Sequence, residues 1–407
     1  MAELRQNTWK LNESYDQDVA GNSDYVFPVE MWACGQNGFG FLGEGSTPTN
    51  QQRSSPIQIP GSWQAISTGM AIKQTGTTES SLFCWGYGGN GQNAQNNTTN
   101  YSSPIQVPGT NWRKLVNSWQ FRGAIKNDGT LWMWGNNTYG RLGINVPTNS
   151  HRSSPTQVGT DNNWHYVSAA DDSTMGLKTD GTLWAWGSNG VGQLGQNDRS
   201  SRLSPTQIPG TTWNSISCWR YGGSATKTDG TAWTWGYNEY GQLMQNDLVH
   251  RSSPVQVPGT DWANAYPYNN TGISVGNSIN QQQVLMQKTN GSIWYCGNPD
   301  GEMGMNAKYN SPTPSRRSSP TELGAGTAWA EFTRDFVQSY MTRYGSNIVG
   351  VKSNGTLWVT GKNSEGEAGQ NNMSVSNYSS PIQIPGTWST EKASSGGGYN
   401  NVFAKDP

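Results

Sequence analysis

Short runs of alternating apolar and polar residues recur in pairs, each pair joined by an Asp-Gly or Asn-Gly step. Residues 176–187 read GLKTDGTLWAWG, and the same pattern returns at 124–135 (AIKNDGTLWMWG), 225–236 (ATKTDGTAWTWG), 286–297 (MQKTNGSIWYCG) and 350–361 (GVKSNGTLWVTG). This pairing predicts tight hairpins of type I′, in which both central residues take positive φ. Trp184 and Trp186 fall on one side of the second strand, Leu183 and Ala185 on the other, so both faces are expected to be buried. In all five copies nine positions separate the lysine from the closing glycine.

The larger period follows from the glycine that closes each box, at Gly35, Gly86, Gly135, Gly187, Gly236, Gly297 and Gly361. After each comes a loop rich in Asn, Gly and Gln, then a Ser-Pro pair. A single tryptophan follows, at Trp63, Trp112, Trp164, Trp213, Trp262, Trp329 and Trp388. Each copy therefore holds four short strands: SPxQxP, the single-tryptophan strand, the lysine strand and the box. Seven such units predict an all-β fold, a seven-bladed β-propeller of four-stranded blades. The first copy opens on a box strand, VEMWACG, and the last stops on a lysine strand, NVFAKDP. Pairing of these N- and C-terminal strands would close the ring and remove its exposed edges. The predicted organisation is an N-terminal arm at 1–28 and a propeller at 29–407.

Composition narrows the function. Of 407 residues 32% are hydrophobic and 13% charged, with a net charge of −1, so electrostatic binding to nucleic acid or an anionic membrane is not expected. No run of 18 apolar residues and no apolar core of signal-peptide type occurs, so no membrane insertion and no secretion are expected. Twenty tryptophans supply the burial; each covers roughly 150–250 Å². Cys34, Cys84, Cys218 and Cys296 show no metal or redox spacing, and Cys34 and Cys296 stand where other copies have the second tryptophan of the box, which favours buried packing over metal or redox chemistry. Neither a metal, a cofactor nor a catalytic motif is expected, and the chain reads as no enzyme.

The unit, with its core x-DGT-LWxWGxNxxGQLG, resembles the RCC1 repeat (regulator of chromosome condensation type) over residues 29–407. That resemblance implies a seven-bladed propeller. Many repeats of the family carry a histidine before the lysine strand; here those positions are polar or small, as in DDSTMGLK and RYGGSATK. This departure weakens the transfer of the family's nucleotide exchange on a small GTPase. The opening MAELRQNTWKLNESYDQDVAGN is also similar to N-termini of marine-phage structural proteins.

Residues repeated in every blade are read as serving the blade. One such set, Arg53, Arg152, Arg202, Arg251 and Arg317, with Tyr101 and Tyr378 in the other two blades, is expected to pack blade against blade. Candidate function therefore falls on what is not repeated. Two long insertions between the single tryptophan and the lysine, at 265–283 and 330–347, are read as loops for an outward partner, a host surface protein or a glycan, and strand counting puts them on the face opposite the Asp-Gly turns. Their candidate contact residues are Tyr266, Tyr268, Phe332, Arg334, Phe336, Tyr340, Arg343 and Tyr344. Trp9, Leu11 and Tyr15 are the candidate assembly anchors of the arm, toward other virion proteins. The expected role is a non-enzymatic binding or assembly protein of a bacteriophage particle, a capsid or tail decoration located in the virion. The alternatives are a carbohydrate- or receptor-binding protein and a cytoplasmic RCC1-like regulator or inhibitor.

Overall fold

Each Asp-Gly or Asn-Gly step does turn the chain into an antiparallel hairpin, but through a different turn from the one expected. The Gly181 N–H donates to the Lys178 carbonyl, and the Lys178 N–H to that of Thr182. Only the glycine is left-handed, at φ 75°. This is a type I turn closed by a left-handed glycine, the three-residue alternative to type I′. The aspartate explains the choice: Asp180 Oδ1 accepts the Thr182 N–H at 3.0 Å and its hydroxyl at 2.6 Å, which pins the turn from within.

The structure, a computed structural model, describes residues 28–45, 52–75, 79–262, 273–277, 282–297, 317–322, 336–341, 347–352, 354–374, 377–389 and 400–405. Nearly all of the expected arm, with Trp9, Leu11 and Tyr15, lies outside them. The strands form a seven-bladed β-propeller, six sheets having four described strands and one having three. Blade 4 shows the order. A single-tryptophan strand (Trp164–Ala169) pairs with the lysine strand (Ser173–Lys178), then come the box (Leu183–Gly187) and the Ser-Pro strand (Arg202–Ile208). The Ser-Pro strand thus ends the blade of the preceding box instead of starting the next. Single-tryptophan strands of neighbouring blades touch one another, which makes them the inner ring, and the half-buried Ser-Pro strands form the rim.

Blade 1 is assembled from both ends of the chain, as the ends of the repeat predict. Asn400–Lys405 pairs with Val29–Gly35, Lys405 opposite Glu30 and Asn400 opposite Gly35, and Arg53–Trp63 completes the described sheet.

The core lies between blades. In one cluster Val116, Ile125, Leu131 and Met133 of blade 3 meet Trp164, Val167 and Trp186 of blade 4. The second tryptophan of the box is fully buried, and its indole N–H donates to a carbonyl in the loop of the preceding blade: Trp85 to Phe41, Trp134 to Gln92, Trp186 to Arg141, Trp235 to Gln193. Cys34 and Cys296 keep this contact with a thiol, donating to Glu367 and Gln242. The expectation that these cysteines are packing residues agrees with their complete burial.

Candidate interaction surface

Two unlike faces follow from the strand order. On the turn face lie the Asp-Gly hairpins and the Pro-Gly links that lead into the next blade. On the loop face lie the short links between the first two strands and the long connections between box and Ser-Pro strand.

The turn face is a repeated hydrogen-bond relay. Asp128, Asp180 and Asp229 each accept the hydroxyl of the threonine two residues on, and that hydroxyl accepts the indole N–H of the first box tryptophan, Trp132, Trp184 or Trp233. Asn290-Ser292-Trp294 and Asn354-Thr356-Trp358 repeat it with an amide in place of the carboxylate. The threonine hydroxyl, then its backbone N–H, hold the three aspartate carboxyls below their ordinary pKa. The neighbouring lysine lies over two indoles: Lys178 Nζ is 4.9 Å from the Trp164 ring and 4.0 Å from that of Trp184.

The loop face is built on buried asparagines. Asn37, Asn137, Asn189, Asn238 and Asn363 each accept the backbone N–H of the residue five further on, at 2.8–3.1 Å. Each loop then clasps the next blade: Asn96 donates to the Ser153 carbonyl, Asn145 to Leu203, Asn197 to Ser252, Asn246 to Ser318 and, across the closure, Asn371 to Ser54. These five asparagines are left-handed, a conformation that their short polar side chains tolerate. His151 and His250 close their own loops, their Nδ1 atoms accepting from Asn137 and Asn238. Burial, and then the charge of Arg141, holds His151 below the usual imidazole pKa.

Of this repeated set, Tyr101 and Tyr378 pack against clusters shared by two blades, as expected, whereas Arg53, Arg202 and Arg251 pair within their own loops. Arg202 pairs with Asp198 at 2.6 Å, Arg251 with Asp247 at 2.5 Å and Arg53 with Glu44 at 2.9 Å, each carboxylate belonging to the loop that leads into the same strand. A side chain at the start of the Ser-Pro strand reaches its own loop first, so it closes that loop.

The large exposed hydrophobics collect on the loop face. Among the described residues they are Phe39 (44%), Tyr139 (47%), Leu248 (47%), Val249 (58%) and Met373 (44%), all in box-to-Ser-Pro connections. Phe39 and Tyr139 are also left-handed, at φ 62° and 63°, a costly conformation for an aromatic residue. Further rings stand on this face: Tyr87 lies 5.0 Å from Phe39, and Tyr237 stacks on His250 at 4.6 Å beside Tyr221 and Tyr240. Between them Asp172 receives Arg141 at 3.0 Å and Arg220 at 3.5 Å, from the two neighbouring blades. The exposed hydrophobics and the tyrosines beside them were not singled out from the sequence, although the aromatic before the loop glycine in GFG, TYG and EYG was visible there.

The two insertions are not where strand counting put them. In blade 7, Phe336 pairs with Lys352 as Trp164 pairs with Lys178, so Phe336 and Tyr340 belong to the strand Phe336–Met341 and not to a loop. The extra residues at 323–335 therefore join the end of the preceding blade to the start of that strand. In blade 6, Trp262 bridges Lys288, but the rest of the strand resumes only at Ile273. Both connections run between strand ends on the turn face, opposite to the expected one. The reason is that Phe336, seven residues beyond Trp329, takes the place opposite Lys352. Tyr266, Tyr268, Phe332, Arg334, Arg343 and Tyr344 lie outside the described residues, as does Trp329.

Comparison with known proteins agrees with the repeat. Residues 128–177, 180–220 and 229–277 match the regulator of chromosome condensation (RCC1) repeat, and residues 164–193 match a second model of it. The ultraviolet-B receptor UVR8 of Arabidopsis thaliana is 25% identical over 205 residues, 47% of this chain and 46% of the receptor. The mitochondrial RCC1 domain-containing protein RUG3 of the same plant is 27% identical over 214 residues, 49% of this chain and 48% of the relative. The matches thus span about half the length of these relatives. Among solved structures, Prp20p from Saccharomyces cerevisiae has a TM-score of 0.74 at 18% identity, covering 93% of this chain and 92% of its own. Human WBSCR16 has a TM-score of 0.72 at 16% identity, covering 94% and 99%. RCC1 repeats are thus matched within residues 128–277, and the seven-bladed ring as a whole has the fold of these neighbours.

Proposed function

We propose that this RCC1-repeat propeller is a non-enzymatic binding protein that receives a protein partner on its loop face. The observation that carries the reading is the placement of Phe39, Tyr139, Leu248, Val249 and Met373 together on that face. They come from the loops of blades 1, 3, 5 and 7, so exposed apolar positions are spread round this one face, and aromatic residues with arginine are the usual anchors of protein contacts. The similar proteins support binding as the mode of action: the Prp20p structure was reported with binding to Gsp1p and histones. A cellular regulator is supported at least as well as a particle component. The finer reading, a bacteriophage virion protein held by the arm at 1–28 through Trp9, Leu11 and Tyr15, rests on the polar composition and the opening segment.

The test compares the wild-type chain with F39S/Y139S/L248S/V249S as bait in extracts of the source and on purified virus particles. A partner held by wild type and lost at least about tenfold by the variant, with unchanged melting, supports the reading. An identical set of captured proteins overturns it. Mass spectrometry of purified particles decides the virion placement separately.

A further inference from the structure

Comparing the blades with one another exposes a seat for a carboxylate that the chain fills in blades 4 and 6 and leaves without one in blades 3 and 5; blade 5 differs further. The seat consists of the lysine and the two tryptophans of the turn face, and the residue that fills it is the second after the link glycine. In blade 4 that residue is Asp161, in Gly159-Thr160-Asp161, and its Oδ2 lies 2.9 Å from Lys178 Nζ. In blade 6 it is Asp261, in Gly259-Thr260-Asp261, with Oδ1 3.1 Å from Lys288 Nζ. In blade 5 Thr212 directly precedes Trp213 as Asp261 precedes Trp262, and in blade 3 Asn111 precedes Trp112, so neither of these links supplies a carboxylate there.

The seat itself is unchanged there. Lys227 Nζ lies 4.7 Å from the Trp213 ring and 4.6 Å from that of Trp233, yet it makes no ion pair among the described residues. Asp229, two residues on, is committed to Thr231 through both its backbone N–H and its hydroxyl. A second donor is idle as well. The Trp213 indole N–H is buried without an acceptor, whereas those of Trp112 and Trp262 reach the carbonyls of Gly109 and Pro258. Trp164 shares this state, but its lysine is already neutralised. The two idle donors converge: a methyl group built at Gly210 would lie 3.5 Å from Trp213 Nε1 and 3.7 Å from Lys227 Nζ. An open cavity of about 420 Å³ lies at this place in the cleft between blades 4 and 5, lined by Trp213, Lys227, Trp233, Pro209 and Pro254.

We propose that this cavity binds an acidic side chain of a partner polypeptide, its carboxylate on Lys227 Nζ and Trp213 Nε1 and its methylenes against the two indoles. The chain itself supplies the precedent, since Asp161 and Asp261 sit on the equivalent lysines. Charge-assisted contact away from bulk water is the stronger kind, and an otherwise unpartnered buried N–H favours an anionic acceptor. The site is separate from the loop-face reading, and neither depends on the other.

The experiment titrates the full chain with a capped peptide of alternating Glu and Gly and with its Gln counterpart. The 5-fluorotryptophan resonance of Trp233, assigned with W233F, reports binding. Thr212→Asp places a carboxylate in the register of Asp261, Thr212→Asn is its uncharged control, and Lys227→Met removes the cation. Saturable binding of the Glu peptide, weakened at least about tenfold by T212D and K227M but not by T212N, is expected. Equal binding of the Gln peptide, no binding of the Glu peptide at millimolar concentration, or full retention by T212D and K227M would overturn the proposal.

Discussion

Trp186 and Trp235 occupy the same place in blades 4 and 5, both fully buried and both donating an indole N–H at 3.0 Å to a carbonyl of the preceding loop. Trp→Phe at either site opens a similar cavity and removes one hydrogen bond. The acceptors differ. The Arg141 carbonyl also receives the Thr174 hydroxyl at 2.9 Å, so W186F leaves it partnered. Gly223 stands opposite Trp235 where Thr174 stands opposite Trp186, so W235F strands the Gln193 carbonyl. An unpartnered buried polar group costs about 1–3 kcal/mol, whereas the net worth of a hydrogen bond is about 1 kcal/mol. W235F is therefore expected to be less stable than W186F by about 1–2 kcal/mol in urea denaturation followed by far-UV circular dichroism, with equal m-values. The double variant T174V/W186F should lose about 1–2 kcal/mol more than the sum of its single changes, because only together do they strand the Arg141 carbonyl. Equal stability of W186F and W235F, together with additivity in the cycle, would refute the hydrogen-bond account and leave cavity formation as the whole effect.

Removing residues 400–407 deletes the lysine strand of blade 1 and uncovers Val29–Gly35; the whole ring should melt well below wild type, and a melting temperature within about two degrees of it would contradict closure. Asp128, Asp180 and Asp229 have folded pKa values depressed by their threonines. Their contribution is present above the unfolded value near 3.9 and is lost as pH falls through the folded pKa. D128N/D180N/D229N should thus match wild type at pH 7, as Asn290 and Asn354 do the same work, and lose less stability between about pH 4 and pH 2; an unchanged acid limb would count against the relay. Burial raises the Cys84 thiol to about 11 and raises that of Cys296 further, and Cys34 is buried too. Only the half-buried Cys218 should react with a thiol reagent under native conditions, and a second rapid equivalent would disprove this.

Residues that perform the same task in each blade were legible as repetition. The box, the lysine strand and the two incomplete end copies led to the ring and to its closure, because strand pairing depends on an alternation that the sequence displays directly. The turn type was less legible: Asp-Gly fits two hairpin geometries, and the choice is made by the threonine two residues on, through Asp180 and Thr182. The arginines misled for a related reason. Arg202 and Asp198 are close in sequence, yet their ion pair depends on a loop path organised by Asn189, which also holds Asp198.

The candidate surface was hidden by a question of phase. Spacing from tryptophan to lysine locates an insertion only if the tryptophan marks the start of the strand, and in blade 7 Phe336 takes that place opposite Lys352. With the register corrected, the extra chain in blades 6 and 7 joins strand ends that lie on the turn face. The loop face then has to be judged by its own residues, and those are Phe39, Tyr139, Leu248, Val249 and Met373. A repeat read only for its shared residues averages such positions away, since Phe39, Tyr139 and Tyr240 share their place in the loop with Asn90 and Glu365. The same comparison separates Thr212 from Asp161 and Asp261. In a ring of near-identical blades, function is to be sought at positions where the scaffold's own requirement is already met and one blade nevertheless differs.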